Sequence, residues 1–169
     1  MRDVFKQMPD SIVPYLTENN RLDFIDFMDS NMNAEITNLL GGKSQMTKLN
    51  NLYVSLTLNE ASSLEMRLLP LEEELVDGAN QIICLIRTYG TDVRESVIDF
   101  FSLQWRRLAT SDYLIWPKDN MFVASLNDEN PSLTLVPVYK LDAPANEEQK
   151  ELAKTSTTLK WKNKYLNEY

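Results

Sequence analysis

Asp99 is the carboxylate whose placement would cost most. In an extended chain its side chain shares a face with Val97, Phe101 and Leu103. A carboxylate among apolar neighbours has a raised pKa or a cationic partner, and both occur at active sites. Two roles stay open. Asp99 could be one of a pair of carboxylates in a hydrolase acting on glycan, with its partner roughly 5–10 Å away. It could equally pair structurally with an arginine such as Arg87, Arg94 or Arg106, the commoner arrangement.

Tyr113 and Trp116, with Trp105 and Trp161, could form an aromatic platform for a sugar ring or a peptide. Large aromatics at strand positions are more often core. Asp99, Tyr113 and Trp116 are therefore the candidate ligand-binding residues, and no catalytic residue is assigned. The alternating Lys160, Lys162 and Lys164 could meet an anionic partner, although lysine along a terminal strand also guards a sheet edge against aggregation.

Other chemistry is excluded by residue type and spacing. The chain has no histidine, which removes the Ser-His-Asp and Cys-His arrangements and the usual zinc ligand sets. Cys84, the single cysteine, lies between Ile83 and Leu85 and reads as a buried, inert thiol. Gly42-Lys43-Ser44 imitates the tail of a phosphate-binding loop. The glycine required five positions before Gly42 is Thr37, and residues 45–48 head into a strand where a helix is needed. Asp29, Asn31, Asn33 and Glu35 alternate like the first half of a calcium loop. The positions that should be glycine and the closing glutamate are Ala34 and Leu40, so a polar helix C-terminus is expected. No Gly-x-Ser-x-Gly, Ser-x-x-Lys or Cys-x-x-Cys occurs. Neither a cofactor nor a metal is expected.

The net charge of −8 opposes nucleic acid and anionic membranes as partners. No run approaches 18 apolar residues, so no transmembrane segment is expected. The opening MRDVFKQMPD has no apolar core of a secretory signal. At 169 residues with 43% hydrophobic and 25% charged, one domain spanning 1–169 is expected.

The elements that position these residues begin with helices over 1–32. Val4, Phe5 and Met8 make one apolar face; Ser11 can cap a segment carrying Ile12, Tyr15 and Leu16. Asn20-Arg-Leu-Asp23 resembles a capping box before Leu22, Ile25 and Met28. From 35 to 169 the pattern is mainly strand. Residues 53–60 and 63–69 alternate cleanly, apolar on one face and wet on the other, and form a hairpin.

A second hairpin, 80–105, joins runs 82–86 and 97–105 through Gly90-Thr91-Asp92. Residues 82–86 are apolar on both faces, so this strand should be covered on both. Strands are also expected at 35–40, 113–116, 121–126, 133–141 and 157–166, with a short helix over 146–154. The expected fold class is α+β: N-terminal helices packed on a long, mostly antiparallel meander, with one short helix near the C-terminus.

Three blocks carry a resemblance: MRDVFKQMPDSIVPYL at the start, Asn20-Arg-Leu-Asp-Phe-Ile-Asp-Phe27, and Met66-Arg-Leu-Leu-Pro70. The chain resembles a domain-of-unknown-function family of Bacteroidales proteins exported behind a signal peptide. The resemblance implies a periplasmic or otherwise exported protein whose signal has been removed. It brings no functional residue with it. The function expected is a non-catalytic binding domain for a protein, peptide or glycan, with the carboxylate hydrolase as the alternative.

Overall fold

The structure, a computed structural model, describes residues 1–73, 75, 78–115, 121–138, 156–162 and 165–167. Two helices open it, α1 (Arg2–Lys6) and α2 (Glu18–Asp29). Thr17, rather than Asn20, caps α2. Its hydroxyl accepts the Asn20 N–H while the Asn20 side chain accepts the Thr17 N–H, so two of the free donors at the helix start are satisfied. Between the helices the chain runs in turns, as Pro9 and Pro14 dictate. The buried Arg21 of α2 holds that segment, donating to the Lys6 and Leu16 carbonyls and to Asp10 at 2.7–3.2 Å.

Seven strands follow in one antiparallel meander, each paired with the next. They are β1 (Glu35–Thr37), β2 (Lys43–Leu49), β3 (Tyr53–Asn59), β4 (Ser62–Pro70), β5 (Gln81–Tyr89), β6 (Glu95–Phe101) and β7 (Arg107–Leu108). Both hairpins expected from alternation are present, β3–β4 and β5–β6. The second ends earlier than its apolar run suggests. After Phe101 the chain turns back through Trp105, which takes a left-handed φ of 61° and donates its indole N–H to the Val4 carbonyl at 3.0 Å.

The remaining strands form a second antiparallel sheet: β8 (Phe122–Leu126), β9 (Ser132–Pro137), β10 (Thr157–Lys162) and β11 (Tyr165–Asn167). The α+β expectation of helices on one long meander is thereby corrected. Among the described residues the protein is mostly β, in two antiparallel sheets, and the helices amount to one short segment and one of 12 residues. The physical reason lies in β5. Ile83 and Leu85 pack with Phe5, Leu16 and Phe24 of the helical layer. Ile82, Cys84 and Ile86 point the other way and need a second cover, which the C-terminal strands supply by stacking on the first sheet. The double-sided burial expected for 82–86 is thus met by one layer of each kind.

Smaller corrections follow. The expected strand 157–166 is instead two paired strands, β10 with β11, in which Lys162 faces Tyr165, and Tyr165 is exposed. Residues 113–115 make no strand; Leu114 forms a single bridge to Leu166. The short helix expected over 146–154 lies outside the described residues.

Candidate functional site

The sheet of β1–β7 has two unequal faces. Toward the helices, β3 and β4 present Val54, Leu56, Leu64 and Met66, all buried. Alternation turns Tyr53, Ser55, Thr57, Ser63, Glu65 and Arg67 to the opposite face. The second sheet covers only part of that face. Tyr53 and Leu69 join its core, while Ser55, Thr57 and Ser63 line an open groove of about 440 Å3. That volume falls within the roughly 300–1,000 Å3 typical of small-ligand sites.

Cross-strand register arranges the groove floor. Gln45 faces Thr57, Thr57 faces Ser63, Ser63 faces Thr88, and Thr88 faces Ser96. One polar row therefore crosses five strands. Its far end is roofed: the Thr88 and Ser96 hydroxyls bond at 2.7 Å, and Ser96 Oγ accepts the Ala124 N–H of β8 at 2.9 Å. Its near end is open. A bulge in β2 after Met46 brings Thr47 over Ser55, with their hydroxyls 2.6 Å apart.

Three charged residues line the groove, Glu60, Glu65 and Arg94. Arg94 reaches from the β5–β6 turn and donates to Ser63 Oγ at 3.0 Å. That turn depends on Gly90, whose φ is 108° and where a Cβ would sit 2.0 Å from the Val93 carbonyl oxygen. Glu65 stands where the two sheets meet and accepts the Leu126 N–H at 2.7 Å. Burial pushes its carboxyl above the ordinary glutamate range, against the opposing pull of the Leu126 N–H, the Tyr53 hydroxyl and Arg94. Burial and the Glu65 charge together push the Tyr53 phenol up to about 12.

The β8–β9 turn is tied to the same face of the larger sheet beside the groove. Arg67 Nη1 donates to the Asn127 carbonyl at 2.6 Å, and Asn50 to the Asp128 carbonyl at 3.1 Å. Lys48 pairs with the Asp128 carboxylate. Arg67 is 2% exposed, its Nε has no hydrogen-bond partner, and burial lowers its pKa.

Of the residues singled out in the sequence, Arg94, named there as a possible partner of Asp99, lines this groove and bonds Ser63, whereas Asp99 and Tyr113 do not line it. Asp99, 2% exposed, lies on the helix-side face between Arg87, at 2.6 Å, and Arg107. The arginine pairing is present, with Arg107 joining Arg87. Tyr113 is buried between Phe100, at 5.2 Å between ring centroids, and Trp161, at 6.3 Å. Trp116 lies outside the described residues. Lys43 of the Gly-Lys-Ser tripeptide starts β2 and pairs with Glu35. Asp29 is clamped by Arg2 at 2.5–3.1 Å, which holds its carboxyl below the usual range, and Asn33 accepts from Gln45 at 3.0 Å. The described residues contain no cluster of three or more His, Cys, Asp or Glu able to hold a metal. Ser55, Thr57, Ser63 and Glu65 of the groove appeared in the sequence only on the wet face of the β3–β4 hairpin, Thr91 only as a turn residue and Arg94 only as a possible partner of Asp99.

A helix layer, a seven-stranded meander and a four-stranded sheet that half-covers it define a two-sheet β protein with an open polar groove. The chain belongs to a family described as protein of unknown function (DUF3256), whose sequence model matches residues 1–167. A search of curated proteins finds no match. Among solved structures it is similar to a domain of an uncharacterized protein from Porphyromonas gingivalis W83. That likeness has a TM-score of 0.77 at 20% identity and covers 98% of this chain and 95% of the other. At that identity the likeness establishes the fold. The family membership agrees with the resemblance carried by the opening block. No described helix is long and apolar enough to cross a membrane.

Proposed function

We propose that this chain is a non-catalytic, exported binding domain that holds a polar ligand, a glycan or a peptide, in the groove over β2–β4. One observation carries the reading. The groove gathers preset hydroxyls, Thr47 with Ser55 and Ser63 with Arg94, beside a carboxylate partly withdrawn from water. Polar groups already aimed and paired need little reordering when a ligand arrives, which favours binding. Export rests on the resemblance of the opening block to exported proteins. Immunodetection in the periplasmic or surface fraction supports that part, and detection in the cytoplasmic fraction alone removes it.

The carboxylate-hydrolase alternative now has a different candidate. Asp99 is enclosed by two arginines on the other face, whereas Glu65 has the raised carboxyl expected of a general acid and shares the groove with Glu60. Glycan and peptide arrays probed with the wild type and with Ser55→Arg test both readings. Binding lost in Ser55→Arg supports the groove, and binding unchanged in that variant places the site elsewhere. Release of new reducing ends or new amines from bound features, abolished in Glu65→Gln, would favour the hydrolase.

A further inference from the structure

Resting on the groove as the binding site, we infer that its ligand is a neutral saccharide held edge-on through its hydroxyls. The floor decides against other chemistries. An acidic ligand would meet Glu60 and Glu65 with Arg94 as the opposing charge, in a chain of net charge −8. An apolar ligand needs a largely hydrophobic lining, whereas these walls are dominated by Ser, Thr, Asn and Glu side chains. A peptide bound with useful affinity anchors an aromatic or aliphatic side chain in a desolvated pocket. Among the described residues the groove offers none: Leu56 and Leu64 point their side chains into the helix-side core.

What remains is a surface of groups that each donate and accept. A Ser or Thr hydroxyl carries one donor and two acceptor positions, and so does each hydroxyl of a sugar. The row Thr57–Ser63 runs across neighbouring strands, about 4.8 Å apart, so adjacent ring hydroxyls can each find one partner. Thr47, Ser55 and Arg94 flank that row and are fixed by their own bonds. The one aromatic residue in the lining, Tyr53, has its ring in the core between the sheets. A sugar must therefore bind by its polar edge and not by stacking.

The test is an NMR titration of the 15N-labelled chain. One arm uses neutral oligosaccharides built on glucose, xylose and N-acetylglucosamine, and the other a mixture of tetrapeptides. A saccharide should shift amides at 55–65 and 91–94 in a saturable way. Thr57→Val keeps the β-branched shape but loses the hydroxyl. It should weaken binding about threefold to tenfold, the worth of one hydrogen bond, with the melting temperature unchanged. Ser63→Ala should do the same. Thr158→Val, on the other sheet beside Thr134, should leave affinity unchanged. Should peptides alone shift the groove amides, the saccharide inference is overturned and the groove reading stands. If neither probe shifts them, both fall.

Discussion

Replacing Asp99 with asparagine removes one charge from the helix-side face without changing shape. Asp99 sits at 2% exposure opposite Leu85 on β5 and accepts from Arg87 Nη2 at 2.6 Å and from Arg107 Nη2. An amide can still accept one of these bonds, but its NH2 then faces the second guanidinium donor. The loss is therefore one hydrogen bond to a charged group, worth about 1.5–3 kcal/mol, plus the attraction between the carboxylate and two cations. Breaking a fully buried pair costs about 3–5 kcal/mol. Here the Arg87 and Arg107 side chains are 23% and 68% exposed, so water offsets part of that. We expect Asp99→Asn to cost about 3 kcal/mol by urea unfolding, or a melting temperature lower by about 6–12 °C for a chain of this size. Arg107→Ala should cost no more than about 1 kcal/mol, because its head group stays in water. The account is refuted if Asp99→Asn costs under about 1 kcal/mol, or if Arg107→Ala costs as much as Asp99→Asn.

Two more consequences are open to measurement. Cys84 is fully buried and its thiol is pushed well above its ordinary value, first by burial and then by the charges of Glu65 and Asp99. It should resist a maleimide in the folded protein and react in denaturant; fast labelling under native conditions would mean that the two sheets part readily. Glu65 has a folded pKa above its ordinary value of 4.5. Its contribution to stability is full below that value and is lost as pH rises through the folded pKa. Glu65→Gln should therefore flatten the fall in stability in the window starting near 4.5. An unchanged pH profile would assign that fall to other groups.

Some of this was readable along the chain because it is local. The alternation expected over 53–60 and 63–69 matches the burial of β3 and β4 from Val54 to Asn59 and from Ser63 to Met66. It does not match at Tyr53, Arg67 and Leu69, which are buried on the face expected to be wet. The two-sided apolar run 82–86 is covered on both faces. The partition into two sheets was not readable, since period two says nothing about which strands a strand joins. Yet a cue existed. The helical layer, 5 and 12 residues long, can cover only one face of the meander, so Ile82, Cys84 and Ile86 demanded a second cover. The alternation also placed Asp99 correctly on the face of Phe101 but could not name its second partner, because Arg107 arrives through the turn at 102–106. Ser55, Thr57 and Ser63 read as a wet face. Where that face passes under the second sheet is set by contacts 60 or more residues away in sequence, Glu65 with Leu126 and Arg67 with Asn127.

The groove and the junction between sheets are two results of one constraint. β8 ends its sheet, so its outward N–H groups at Ala124 and Leu126 have no strand to pair with. Unpaired backbone donors at an interior edge are costly. Ser96 and Glu65 accept these two donors and fix β8 across β4–β6. With those donors occupied, the second sheet has no fifth strand on that side among the described residues. The part of the larger sheet beyond Glu65 stays open, and its sequence suits water: Ser55, Thr57 and Ser63 replace the apolar residues found under β8. An ordinary wet face would stop there. What distinguishes this one is that its boundary residue is partly desolvated and that the Ser55 and Ser63 hydroxyls are already bonded to Thr47 and Arg94. Such groups gain most from a ligand that returns the hydrogen bonds water supplied, which is why the open half of the sheet is the place to look for one.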